Sequence, residues 1–93
     1  MDSAEKAKRV PVGAALDADN IADRLKRIRK SEKLNQKEMA DKLGLSMRSY
    51  NYYEKGERDL RATEIIKILM LWDIDAHWFL LGESAASHNE EKK

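Results

Sequence analysis

Apolar residues fall on helical spacing from Ile21 onward and on no sustained spacing before it. Ile21, Leu25 and Ile28 recur at i, i+4 and i+7, with Arg24, Lys26, Arg27, Arg29 and Lys30 on other faces, which predicts a first helix. Asp19 or Asn20 stands where a cap would start it, and the basic residues of its last turn suit the negative end of the helix dipole. Asn35 precedes Glu38 at capping-box spacing, so a second helix is expected from Gln36, with Met39, Ala40 and Leu43 inward. Gly44 follows at once, where a helix commonly ends on a left-handed residue. Leu45 is expected to turn inward, and Ser46 to cap a third helix running to Glu54 with Tyr50 and Tyr53 on its inner face. Gly56 stops that helix. A fourth helix is expected over Ala62–Trp72, with Ala62, Ile65, Ile68, Leu69 and Trp72 as its core stripe, and a short fifth over Ala76–Leu81, ending at Gly82.

These elements predict an all-α domain over residues 19–82, preceded by a flexible arm at 1–18 and followed by a polar, flexible tail at 83–93. With 93 residues, 42 % of them hydrophobic and 38 % charged, the chain fits one small domain with a modest core. The absence of cysteine removes disulfides, thiolate metal sites and a cysteine nucleophile together, and fits a reducing cytoplasm. No apolar run approaches the ~18 residues of a membrane span. The most apolar stretch, Ile65 to Leu81, is broken by Lys67, Asp73, Asp75 and His77, and the N-terminus has no apolar core of a signal peptide. A cytoplasmic protein is expected, with no membrane partner.

The net charge of +1 conceals an uneven distribution. Residues 24–58 hold eleven Lys and Arg against five acids, a balance of +6, whereas residues 59–93 carry −3. Such a dipole would turn a basic front toward a polyanion and an acidic half away from it, although a lysine-rich solvated face would have the same composition.

The connection between the second and third helices narrows the choice. Only Gly44, Leu45 and Ser46 separate them, and so short a link forces a sharp crossing of about 90–120°, the geometry of a helix-turn-helix. Several marks stand in register around it. They are Gln36 opening the second helix, Ala40, the Leu43-Gly44-Leu45-Ser46 turn, the run Tyr53-Glu54-Lys55-Gly56-Glu57-Arg58, and the segment Asp75–Glu83 with its Leu-Leu-Gly-Glu ending. On these residues the chain resembles the lambda-repressor-like (Cro and phage-repressor, XRE) helix-turn-helix proteins over about Ile21 to Glu83. The resemblance implies a compact five-helix DNA-binding domain. It also implies a sequence-specific regulator of transcription, a bacterial or phage-encoded repressor associated with the nucleoid when bound to DNA. Tyr50 departs from the family's usual Ile or Val, Leu60 from its common Pro, and Asp73 from its common Gly.

Carried onto this chain, the resemblance puts Met47, Arg48, Asn51 and Tyr52 in base-facing positions of the major groove. Arg48 matches guanine O6 and N7, Asn51 matches adenine, and Met47 and Tyr52 offer apolar contact to a thymine methyl. Gln36, Lys37, Ser49, Lys55 and Arg58 are expected on phosphates, where they position rather than specify. Glu54 reads as a structural carboxylate bonded near the turn or to a neighbouring arginine. No enzyme motif is present, so catalysis is not expected. His77 and His88 have no partners at ligand spacing, and neither a metal, a cofactor nor a small-molecule ligand is expected.

Ile66 and Met70 stand off the main stripe of the fourth helix, and the fifth helix adds further apolar surface. Trp72, Trp78 and Phe79 read as core or subunit contacts. A homodimer is therefore expected, joined through Ile66, Met70, Trp78, Phe79 and Leu81, and reading a near-palindromic duplex. The contrasting reading is a protein-interaction module, such as an antitoxin or antirepressor, in which DNA binding is secondary.

Overall fold

In the computed structural model, which describes residues 9–11 and 20–82, each of the first three helices starts where a polar side chain replaces a missing backbone partner. Helix α1 spans Ile21–Ser31, and the Asn20 side chain accepts from the Asp23 N–H. Helix α2 spans Gln36–Leu43 under a complete capping box, with Asn35 and Glu38 each accepting from the other's backbone. Helix α3 spans Met47–Lys55, and Ser46 accepts from the Ser49 N–H. Two more helices, α4 at Ala62–Leu71 and α5 at Ala76–Leu81, complete the described domain. The order and boundaries match the expected five helices to within a residue.

Gly44 has φ +72 and closes α2 with its N–H on the Ala40 and Asp41 carbonyls. A Cβ there would lie 3.6 Å from Lys67 Nζ, so space is available, but the left-handed backbone itself opposes a branched side chain. Gly44→Val is expected to cost about 1–3 kcal/mol in thermal unfolding, and an unchanged melting temperature would contradict this account of the turn. Lys67 also donates to the Leu43 carbonyl at 3.1 Å, placing a cation from α4 against the negative end of α2.

The α4–α5 connection uses no glycine. Trp72 ends α4, and Asp73 takes φ +57, the conformation in which a glycine would be least strained. Aspartate tolerates it better than most side chains. Against this turn lies a segment assigned above to the flexible arm. The Arg9 N–H donates to the Asp73 carbonyl and the Asp75 N–H to the Arg9 carbonyl, both at 2.8 Å. Arg9 Nε donates to the Trp72 carbonyl at 2.9 Å, and its guanidinium pairs with Glu32. Pro11 is buried. Arg9 is thus held by main-chain bonds and Val10 and Pro11 by packing, while the rest of the arm and the tail from residue 83 lie outside the described residues.

The core gathers Leu25 and Ile28 of α1, Met39, Ala40 and Leu43 of α2, Tyr50 and Tyr53 of α3, Ile68 of α4, Ile74, and Trp78 and Phe79 of α5. Leu45, Leu60, Ile65, Leu69 and Trp72 pack on its margin. The expected α4 stripe is therefore narrower in fact: Ile68 is its one fully buried apolar residue, and Ala62 is exposed. Helix α5 returns against α1, where Arg24 Nε donates to the Phe79 carbonyl at 2.8 Å. Among the described residues no helix is long and apolar enough to cross a membrane.

Candidate nucleic-acid interface

Helix α3 is anchored by one face and free on the other. Tyr50, Tyr53 and Glu54 are buried, and Met47, Arg48 and Lys55 are exposed. Asn51 and Tyr52 lie half-buried between these extremes. With α1 and α2 both packed against α3, the outer face of α3 is carried on a fixed support.

The anchor is a polar cluster under the helix. Glu54, whose side chain is 2 % exposed, accepts from Arg29 Nε of α1 at 2.6 Å and from the Tyr50 hydroxyl. Its other oxygen accepts from Gln36 Nε2 of α2 at 3.0 Å and, more weakly, from Arg29 Nη2 at 3.4 Å. Arg29 Nη1 also donates to the Leu34 carbonyl at 3.0 Å. Burial by itself would raise the Glu54 carboxyl, but the hydrogen bonds from Arg29, Tyr50 and Gln36 outweigh it and hold the group below the ordinary carboxylate range. Arg29 is raised in return, chiefly by its bond to Glu54. Burial, and then the Glu54 charge, push the Tyr50 phenol up, so it remains a donor. Tyr50 replaces the aliphatic residue of the resembled family without an orphaned hydroxyl, because Glu54 one turn later accepts its hydrogen bond.

On the outer face Tyr52 organises two arginines. The Arg58 guanidinium lies 4.7 Å from the centre of its ring and that of Arg48 lies 5.8 Å away, both within cation–π range. Arg48 Nε also donates to the Tyr52 hydroxyl at 3.2 Å. Arg48 and Arg58, assigned to a base and a phosphate respectively, thus share one aromatic platform. The i, i+4 spacing of Arg48 and Tyr52 is a sequence signal for half of this arrangement; nothing local points to Arg58.

The remaining expected positions divide. Gln36 and Asn51 are brought together, with Asn51 Nδ2 donating to Gln36 Oε1 at 2.9 Å. Gln36 therefore spends its side chain inside the protein, bonded to both Glu54 and Asn51. Ser49 is half-buried and uses its backbone N–H for the Ser46 cap. Lys37 lies exposed 3.4 Å from Asp41. Lys26 and Lys30 of α1 join Lys55 around an open groove of about 630 Å³ that Gln36, Asn51 and Glu54 also line, together with the acids Asp23 and Glu57. Among the described residues no group of three His, Cys, Asp or Glu side chains is placed to hold a metal ion.

The expected dimer residues also separate. Ile66, Met70 and Leu81 are 55 %, 76 % and 68 % exposed, and Leu71 and Leu80 extend the same apolar character. Trp78 and Phe79 are corrected: both are fully buried within the chain, with rings 6.2 Å apart, and have no surface to offer a partner. This six-residue helix turns both aromatics into the core, where they pack with Ile68 and Ile74 in one apolar cluster.

Comparison with known proteins agrees with this geometry. A helix-turn-helix family model matches residues 25–79, from the core stripe of α1 to the buried end of α5. The chain is also 40 % identical over 64 residues to an uncharacterized HTH-type transcriptional regulator, YqaE, of Bacillus subtilis strain 168. The alignment covers 69 % of this chain and 55 % of the relative, so the chain spans about half the length of the protein it matches. No solved structure matches. With the match running through the whole α2–turn–α3 unit and the core that carries it, the chain belongs to the lambda-repressor-like helix-turn-helix family.

Proposed function

We propose that this protein is a sequence-specific DNA-binding regulator of transcription, a repressor of the phage or prophage type acting in the bacterial cytoplasm. The observation that carries the reading is the two-sided character of α3. Its inner face is fixed by Tyr50, Tyr53 and Glu54, and its outer face presents Met47, Arg48, Asn51 and Tyr52 beside basic residues of α1 and the following turn. A helix so held enters the major groove as a rigid body, and Arg48 pairs with guanine O6 and N7. Lys37, Ser49, Lys55, Arg58 and the N-terminus of α2 set the register on phosphates.

Two copies joined through the exposed Ile66, Met70 and Leu81 would place two α3 helices in successive major grooves, on half-sites about 34–36 Å apart. The second half-site then binds intramolecularly, which raises affinity without new contacts.

Selection of bound duplexes from a random pool tests this directly. The expected result is a near-palindromic site whose affinity falls with salt at about 0.9 logarithmic units per phosphate neutralised. Arg48→Ala is expected to cost about 1–3 kcal/mol on that site and to relax preference at one base pair. Failure of the wild type to bind any duplex at low salt would refute the reading and favour a protein-interaction module.

A further inference from the structure

Asn51 and Glu54 lie three residues apart on α3, the first half-buried at the margin of the outer face and the second buried, and Gln36 of α2 connects them. Every neighbour bonded to Glu54 is a donor: Arg29, Tyr50 and Gln36. An ionised carboxylate offers oxygens only, so the Gln36 amide must turn Nε2 toward it and Oε1 away. That oxygen meets Asn51 at 2.9 Å, and Asn51 must in turn direct its nitrogen inward.

We propose that Gln36, oriented by Glu54, is a positioning residue that fixes which way round the Asn51 amide faces DNA. The proposal rests on α3 being a reader of duplex DNA. With one N–H held by Gln36, Asn51 keeps Oδ1 and its second N–H for the outer face in a single fixed order. An acceptor beside a donor matches the N6 amino group and N7 of adenine, and does not match the two acceptors of guanine. The last torsion of asparagine is broad and nearly two-fold, so an unheld amide would present either order. The relay removes that ambiguity before DNA arrives, which is where preorganisation gains selectivity.

Gln36→Ala deletes the middle of the relay and leaves Glu54 bonded to Arg29 and Tyr50. On the selected site, Asn51→Ala identifies the base pair read by Asn51 as the position where preference falls by about 5- to 150-fold. Gln36→Ala is expected to lose most of that same preference at that same base pair, and the double variant to lose no more than Asn51→Ala alone. Total affinity falls too as the α2 terminus shifts, so the preference ratio is the quantity to read. Preference retained at that base pair overturns the proposal, as does a loss spread evenly over all positions, the signature of a phosphate contact alone.

A second readout needs no DNA. In the free protein, nuclear magnetic resonance should find one Asn51 side-chain amide proton protected from exchange with water, and Gln36→Ala should abolish that protection. Equal, fast exchange of both protons in the wild type overturns the relay even if DNA binding is strong. A wild type that binds no duplex sinks the DNA reading instead, while the exchange measurement still decides whether the amide is held.

Discussion

Replacing Glu54 with alanine is expected to cost the fold about 3–5 kcal/mol, the usual penalty for removing one member of a buried ion pair. Four donor bonds lose their acceptor at once: two from Arg29, one from Tyr50 and one from Gln36. Arg29, itself only 14 % exposed at its side chain, is left as a nearly buried, uncompensated charge. A domain of this size has about 5–10 kcal/mol in total, so the variant should melt far below the wild type and populate unfolded chain at room temperature.

The same carboxylate makes stability depend on acid. Because its pKa is lower folded than unfolded, the unfolded chain takes up the proton more readily. The Glu54 contribution is therefore complete above the unfolded carboxylate range, near pH 4.5, and is lost as the pH falls from there through the folded value. Glu64 shifts the same way: burial pushes it up, and bonds from Arg61 more than offset that. Its partner side chain is 75 % exposed, so water screens that pair and its share is smaller. Melting temperatures measured from pH 7 to pH 3 should fall through this window, and Glu54→Gln should flatten the fall. A wild-type melting temperature indifferent to acid would contradict the assignment of Glu54 as the anchor of α3.

Trp78→Ala is expected to be as damaging, at about 3–5 kcal/mol, for a different reason. The indole is 1 % exposed and packs beside Phe79 at the point where α5 closes the core, so truncation leaves a cavity rather than a broken network. Its Nε1 is buried without a hydrogen-bond partner among the described residues. Trp78→Phe should consequently cost less than its loss of volume suggests, since it also removes an unsatisfied donor worth about 1–3 kcal/mol. Thermal unfolding of both variants checks the pair. An alanine variant that kept its melting temperature but altered self-association would return Trp78 to the surface role given to it by sequence reasoning.

That misassignment shows where local pattern stops informing. The five helices were legible because their signals are local: stripes at i, i+4 and i+7, caps at Asn20, Asn35 and Ser46, and left-handed glycines at 44, 56 and 82. Apolar spacing identifies a face that must be covered, but not whether the cover is the chain itself or a second copy. Trp78 and Phe79 fell on the wrong side of that choice, whereas Ile66, Met70 and Leu81 are exposed as expected. The outward position of Met47 and Arg48 was legible in the same manner, from the register of α3 after Ser46. The network behind it was not. Glu54 could be read as a structural carboxylate, yet Arg29 lies 25 residues before it and Gln36 lies 18, and only tertiary packing joins them. The pairing of Arg9 with the Asp73–Asp75 turn was hidden likewise, because an isolated bridge through one residue leaves no periodic trace.

The ammonium of Lys67 bears on how the protein can be handled. The residue is exposed although its amine is bonded to the Leu43 carbonyl, so amine-directed labels, crosslinkers or acetyl donors reach it when that bond opens. Neutralising it removes a cation from the carbonyl end of α2, directly beneath the Gly44 bend, although the modified atom belongs to α4. A dye attached indiscriminately to lysine side chains is thus a perturbant of the reading head, whereas an attachment point introduced elsewhere leaves that junction intact.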